Sequence, residues 1–192
     1  MRVLVAATML VLCAVQARSE VFHSRESALR MAFPEADVVE KRDLFLSVEQ
    51  STDAGRLARA PIASRLVTVY VGRAEGRPLG FAFFDTHTVR TLPETVMVVI
   101  GTDGRIAGVH ALAFHEPPEY GSPPAWLHQF DGWALNDKLS LRGDIAGISG
   151  ATLTAQSVTA AVRRALAIYG VTLGNEGNAD STAGPSRTSS RP

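Results

Sequence analysis

Gly147-Ile148-Ser149-Gly150-Ala151-Thr152-Leu153-Thr154 gathers glycines and hydroxyls ahead of an amphipathic run that reaches Tyr169. Glycine lets a backbone bend tightly and approach a ligand closely, because no Cβ stands in the way. A helix N-terminus adds unpaired N–H groups and a partial positive charge. Together these features make a seat for a phosphate, with Ser149, Thr152 and Thr154 as hydroxyl contacts. Local chemistry alone leaves a second reading open, a Ser/Thr-capped helix after a glycine turn.

A second stretch carries chemical residue types, His115-Glu116-Pro117-Pro118-Glu119-Tyr120-Gly121, followed by Trp126, Phe130 and Trp133. Prolines stiffen the connection, and the aromatic residues suit either a core or a ligand wall. A zinc-protease helix does not fit, since its two histidines must lie one turn apart and the prolines forbid that turn. His23, His87, His110 and His128 have no ligand spacing, so no metal site is expected. A serine hydrolase elbow, Gly-x-Ser-x-Gly, fails at Ala151. No acid–base pair or nucleophile–base constellation is readable, so no catalytic residue is assigned.

The string Ser149-Gly150-Ala151-Thr152 before a helix resembles the flavinylation motif of the FMN-binding domain family. That family includes flavin-carrying subunits of the sodium-pumping NADH:quinone reductase and the Rnf complex, and the membrane regulator of nitrous-oxide respiration. The Glu116-to-Phe130 stretch is similar to the family's Glu-Thr-Pro-Gly-x-Gly segment with a downstream Trp and Phe. Glu116, Pro118, Gly121, Trp126 and Phe130 match, while Pro117 and Glu119 depart from it. The resemblance covers roughly residues 66–173. It implies FMN esterified through its phosphate to Thr152, with Ser149, Gly150, Ala151 and Thr154 around the phosphate. Glu116, Pro118, Tyr120 and Trp126 would border the ring. It also implies a flavin transferase that uses FAD as donor, membrane redox partners, and a role in electron transfer rather than independent catalysis. One departure bears on this: the family aspartate aligns with Ala146, and the nearest acid, Asp144, comes two residues early. Non-covalent FMN binding and a non-redox regulatory or ligand-binding domain therefore stand as alternatives.

The rest of the chain must position these stretches. Its 192 residues suffice for one substantial core. Lys plus Arg equals Asp plus Glu at 19 each, and no basic stripe interleaves with aromatics, which argues against nucleic acid. Residues 1–19 read as a secretory signal: Arg2, an apolar run from Val3 to Val15, then small residues at the cut, with an N-terminal anchor as the alternative. Cys13 is the single cysteine, so a cleaved chain has no thiol for disulfides, iron–sulfur clusters or c-type haem. The expected location is periplasmic or extracytoplasmic, and possible membrane association follows from the family.

Ser24 to Phe33 reads as a helix with Ser24 at its N-cap, and Val38 to Val48 as a strand or bent pair. Gln50 to Ser64 is a helix or long loop. Leu66–Val71, Gly80–Phe84, Thr95–Ile100 and Ile106–Phe114 are β-rich, with Asp103-Gly104 a hairpin turn and Gly108 a bulge or close-approach point. The predicted class is α+β, an antiparallel sheet of about four strands with packed helices, of FMN-binding domain type. The boundaries are 20–64 for a mixed N-terminal region, 65–173 for the FMN domain and 174–192 for a disordered tail. Arg163 and Arg164 suit the C-terminal dipole of the last helix, and Gly170 its C-cap.

Overall fold

The computed structural model describes residues 20–21 and 23–174; the leader, Cys13 and the tail beyond 174 lie outside the described residues. β1 (Glu20–Val21), β2 (Val38–Phe45), β3 (Leu66–Ala74), β4 (Arg77–Thr88), β5 (Pro93–Gly101) and β6 (Ile106–Phe114) form one sheet in the order β1-β6-β5-β4-β3-β2. Every pairing is antiparallel. The α+β class is as the residue pattern requires, but the sheet has six strands rather than about four. β2, expected as a strand or bent pair over Val38 to Val48, is one strand of this same sheet, paired along its whole length with β3. Its Glu40-Lys41-Arg42-Asp43 run hides the strand alternation, and such charge is what an edge strand carries to resist pairing with other chains.

Both sheet faces are covered. Val69, Val71, Phe81, Phe83, Val96, Val98 and Ile100 point toward α2 (Val48–Ala58) and α4 (Thr152–Thr172). Ala82, Met97, Val99 and Leu112 meet Ala28, Leu29 and Phe33 at α1 (Arg25–Ala32) on the opposite side. That is why β5 reads as a nearly unbroken apolar run: its side chains are buried on both faces. β6 bulges twice against β5, leaving Ala107 and Leu112 unpaired, the first beside the expected position at Gly108.

The helices start where short polar side chains can cap them. Ser24 Oγ accepts from the Ser27 N–H, and Ser47 and Gln50 form a reciprocal capping box at α2. The 50–64 stretch is therefore helical only to Ala58, where Arg59 turns left-handed at φ 56°. Gly170 does not end α4, contrary to its expected capping role. The helix continues to Thr172, since Leu173 is buried beyond it and Gln50 Nε2 donates to the Val171 carbonyl across to α2.

Gly72 marks a close approach: a Cβ there would stand 2.5 Å from Phe33 Cγ. Gly72→Ala is expected to lower stability by about 1–3 kcal/mol, because the ring would have to leave its packed position. Urea unfolding checks this, and an unchanged midpoint would mean that α1 shifts freely on the sheet.

Candidate functional site

The loop before α4 is held at its middle. Ala146 donates its N–H to Gln129 Oε1 at 2.8 Å, and its carbonyl accepts from Trp126 Nε1 at 2.7 Å. Trp126 and Gln129 belong to α3 (Pro124–Leu127) and the 3-10 turn that follows it. Gly150 then takes φ 79°, a left-handed conformation open to glycine at little cost. The Ala151 N–H closes on the Ile148 carbonyl at 3.1 Å, and α4 begins.

α4 has Ala151 as N-cap, without a side-chain cap, so the capped-helix alternative does not describe this turn. The first helical hydrogen bond runs from Ala155 N–H to the Ala151 carbonyl. The N–H groups of Thr152, Leu153 and Thr154 consequently have no partner among the described residues. The three hydroxyls of the motif separate here. Ser149 is exposed before the turn. Thr152, the first helical residue, is exposed with its hydroxyl unpartnered among the described residues. Thr154 is buried, and its Oγ1 donates to the Tyr120 carbonyl at 2.5 Å.

A concavity of about 390 Å³ lies over this helix start, lined by Tyr120, Gly150, Ala151, Thr152, Leu153, Thr154 and Arg90. Arg90 sits over the Tyr120 ring, its guanidinium carbon 4.5 Å from the centroid. Glu116 fixes that arrangement from below. Its Oε1 accepts from the N–H groups of Arg90, Thr91 and Leu92 at 3.1, 2.6 and 2.8 Å. Donation from Thr91 and Leu92 holds the Glu116 carboxyl below the usual range.

Tyr120, Gly150, Ala151, Thr152 and Thr154 thus meet in one place, while Glu116 and Trp126 commit their polar atoms to holding loops. Pro118 lines a neighbouring cleft. Arg90 and Leu153 were not legible from the motifs. Arg90 falls between strands with no pattern around it, and only the Glu116 staple brings it to the helix start.

A partly buried polar row ties α4 to the sheet. Arg164 on α4 grips Asp85 with two 2.8 Å hydrogen bonds. Asp85 is 2.9 Å from His87 Nδ1, and His87 Nε2 is 3.1 Å from Glu94 Oε2. Arg164 therefore serves the sheet rather than the helix dipole, contrary to its expected role. Burial disfavours the charged form of His87, but the hydrogen bonds and charges of Asp85 and Glu94 outweigh it and raise the pKa to about 9. Asp85 also meets a burial penalty, overcome by His87 and Arg164, and falls to about 2.

A raised histidine pKa stabilises the fold while the pH is below the ordinary 6.5, and that contribution is lost as pH climbs through about 9. The Asp85 contribution runs the other way, present above 3.8 and lost toward 2. Between pH 6.5 and 9.5, stability is expected to fall by roughly 2–3 kcal/mol on account of His87. Urea titrations of the protein and of His87→Gln check this; equal alkaline slopes would remove His87 as the cause. Among the described residues, no group of three or more His, Cys, Asp or Glu is placed to hold a metal.

An antiparallel sheet covered by helices, with an open helix start facing an arginine and a free threonine, defines an α+β domain able to seat a phosphate-bearing ligand. Residues 92–167, from β5 into α4, match the model of the FMN-binding domain family. The chain is also 27% identical over 121 residues to a subunit of the Na⁺-translocating ferredoxin:NAD⁺ oxidoreductase complex of Acetobacterium woodii. The match covers 54% of this chain and 56% of the relative, so the chain spans about half the length of that protein.

Proposed function

We propose that this chain is an exported flavoprotein that carries FMN, joined by a phosphoester to Thr152, and passes electrons in a membrane-associated redox chain. One observation carries the reading: within the segment that matches the FMN-binding domain family, the unpartnered hydroxyl of Thr152 stands at an open helix start facing Arg90. The residues present fit the group. A phosphoester there would meet the free N–H groups of Thr152, Leu153 and Thr154 and the Arg90 guanidinium. Tyr120 and the exposed Leu153 offer aromatic and apolar surface beside it. Bound FMN supplies one- and two-electron redox chemistry. The chain's own part is to anchor, orient and shield.

Attachment from FAD balances simply. The Thr152 oxygen forms a bond to the FMN phosphorus, the phosphoanhydride bond breaks, AMP leaves, and the hydroxyl proton is lost. A flavin transferase supplies that catalysis. A covalent link suits an extracytoplasmic location, where lost FMN has no cytoplasmic pool to replace it. The basic start and apolar run of residues 1–19 support export, and among the described residues no helix is long and apolar enough to cross a membrane. Electron donor and acceptor would then be membrane proteins. Equal numbers of acidic and basic residues support no nucleic-acid role.

The second reading, FMN held without a covalent bond or a regulatory domain without flavin, is favoured by Ala146 where the family has aspartate. The intact mass of the exported protein, made alongside a flavin transferase, separates them. A gain of one FMN less water on the Thr152 peptide is expected. An unmodified mass would overturn covalent attachment, and the colour of the native sample would then show whether FMN is bound at all.

A further inference from the structure

The Pro118–Tyr120 turn has two sides. Tyr120 lines the concavity at Thr152, whereas Pro118 and Gly121 line a separate cleft of about 240 Å³. That cleft has flat, stiff walls in Phe114, Pro123 and Pro124, and two polar side chains, Glu94 and Ser122. Glu94 is fully buried. Its Oε2 is held by His87, but its Oε1 has no partner among the described residues, and neither has the buried Ser122 Oγ. Leaving such atoms unpaired costs on the order of 1–3 kcal/mol each, so two of them on one cleft point to a guest that satisfies both. The row Arg164–Asp85–His87 keeps the Glu94 carboxyl from turning away to find another partner.

The required guest presents a hydrogen-bond donor beside an acceptor on a flat body. The pyrimidine edge of an isoalloxazine does so: its ring N–H lies between two carbonyl oxygens. We propose that this cleft receives the pyrimidine edge of the flavin, the ring N–H donating to Glu94 Oε1 and Ser122 Oγ donating to a neighbouring ring carbonyl. This assignment rests on the FMN reading above and extends it to two residues outside the phosphate site. Glu94 and Ser122 then set the redox potential. Reduction adds electron density to that edge of the ring; an acidic acceptor opposes it, and a hydroxyl donor favours it.

The test uses the full chain made with a flavin transferase, compared with Glu94→Gln and Ser122→Ala. Intact mass is read first, then the midpoint potential of the bound flavin and quenching of its fluorescence by iodide. Equal FMN loading is expected in all three. The potential should rise in Glu94→Gln and fall in Ser122→Ala, with greater iodide access in both. A purely structural role would not move the two potentials in opposite directions. If Glu94→Gln does not fold, Ser122→Ala alone decides by the direction of its shift. Loaded proteins with unchanged potentials and quenching would overturn the proposal and leave the cleft to water. A wild-type chain without any flavin would overturn the FMN reading itself, and that failure is visible in the mass and colour before any potential is measured.

Discussion

Thr152→Val is expected to abolish covalent flavin while leaving the fold intact. The side chain is exposed at the first helical position and makes no hydrogen bond among the described residues, so its replacement removes no native contact. Stability should therefore change by no more than about 0.5 kcal/mol. The effect on flavin is all or none, because an ester needs the hydroxyl oxygen. The other two hydroxyls of the motif serve as controls with different expected outcomes. Ser149→Ala should retain flavin, since Ser149 precedes the left-handed turn at Gly150. Thr154→Val should lose the bond to the Tyr120 carbonyl and so weaken the packing of that turn, a stability effect. Intact mass and flavin fluorescence on denaturing gels measure attachment, and thermal melts measure the fold. Covalent flavin on Thr152→Val would place the ester elsewhere.

Arg163→Met is expected to be the most destabilising single change, on the order of 3–5 kcal/mol, because several backbone carbonyls lose their charge-assisted hydrogen bonds at once. The guanidinium is buried and donates to four carbonyls: Leu57 and Ala58 at the end of α2, and Asn136 and Leu139 in the loop leading to the motif. Burial lowers its pKa from the ordinary arginine value, yet its hydrogen bonds go to neutral acceptors gathered from two separate segments. A methionine fills similar space and leaves those carbonyls unpaired. Lysine should recover only part of the loss, because one ammonium cannot reproduce a planar fork reaching both segments. Urea unfolding gives the values; a loss below about 1 kcal/mol would mean that water substitutes for the guanidinium. Flavin loading should suffer as well, since the 136–145 segment carries the chain toward Gly150.

Much of the site was legible without coordinates because its signals are local. Two glycines, a Ser-Gly-Ala-Thr string and an apolar face at helical spacing specify a helix start by themselves, and α4 begins at Thr152 as that pattern demands. Strands β3 to β6 were equally readable, since β-branched and aromatic runs bounded by turn residues need no partner to be recognised. β2 was readable as a strand or bent pair, but its place at the sheet edge beside β3 was hidden, because an edge exists only once the neighbouring strand is placed. The extent of α4 past Gly170 was also hidden, because burial of Leu173 and the hydrogen bond from Gln50 outweigh a local stop signal.

The amino-acid sequence by itself determined the α+β class and the resemblance to FMN-binding domains, both of which rest on contiguous residues. Only the tertiary structure decided what each polar group does. Glu116 holds the Arg90 loop, Trp126 holds the motif loop through Ala146, and Thr154 is tied to Tyr120, leaving the Thr152 hydroxyl without a partner among the described residues. The same holds for Arg163, whose partners lie as far as 106 positions away, and for Glu94 and Ser122, which share one cleft from different loops and strands. Hydrogen-bond partners across such separations follow from packing, and no local spacing encodes them.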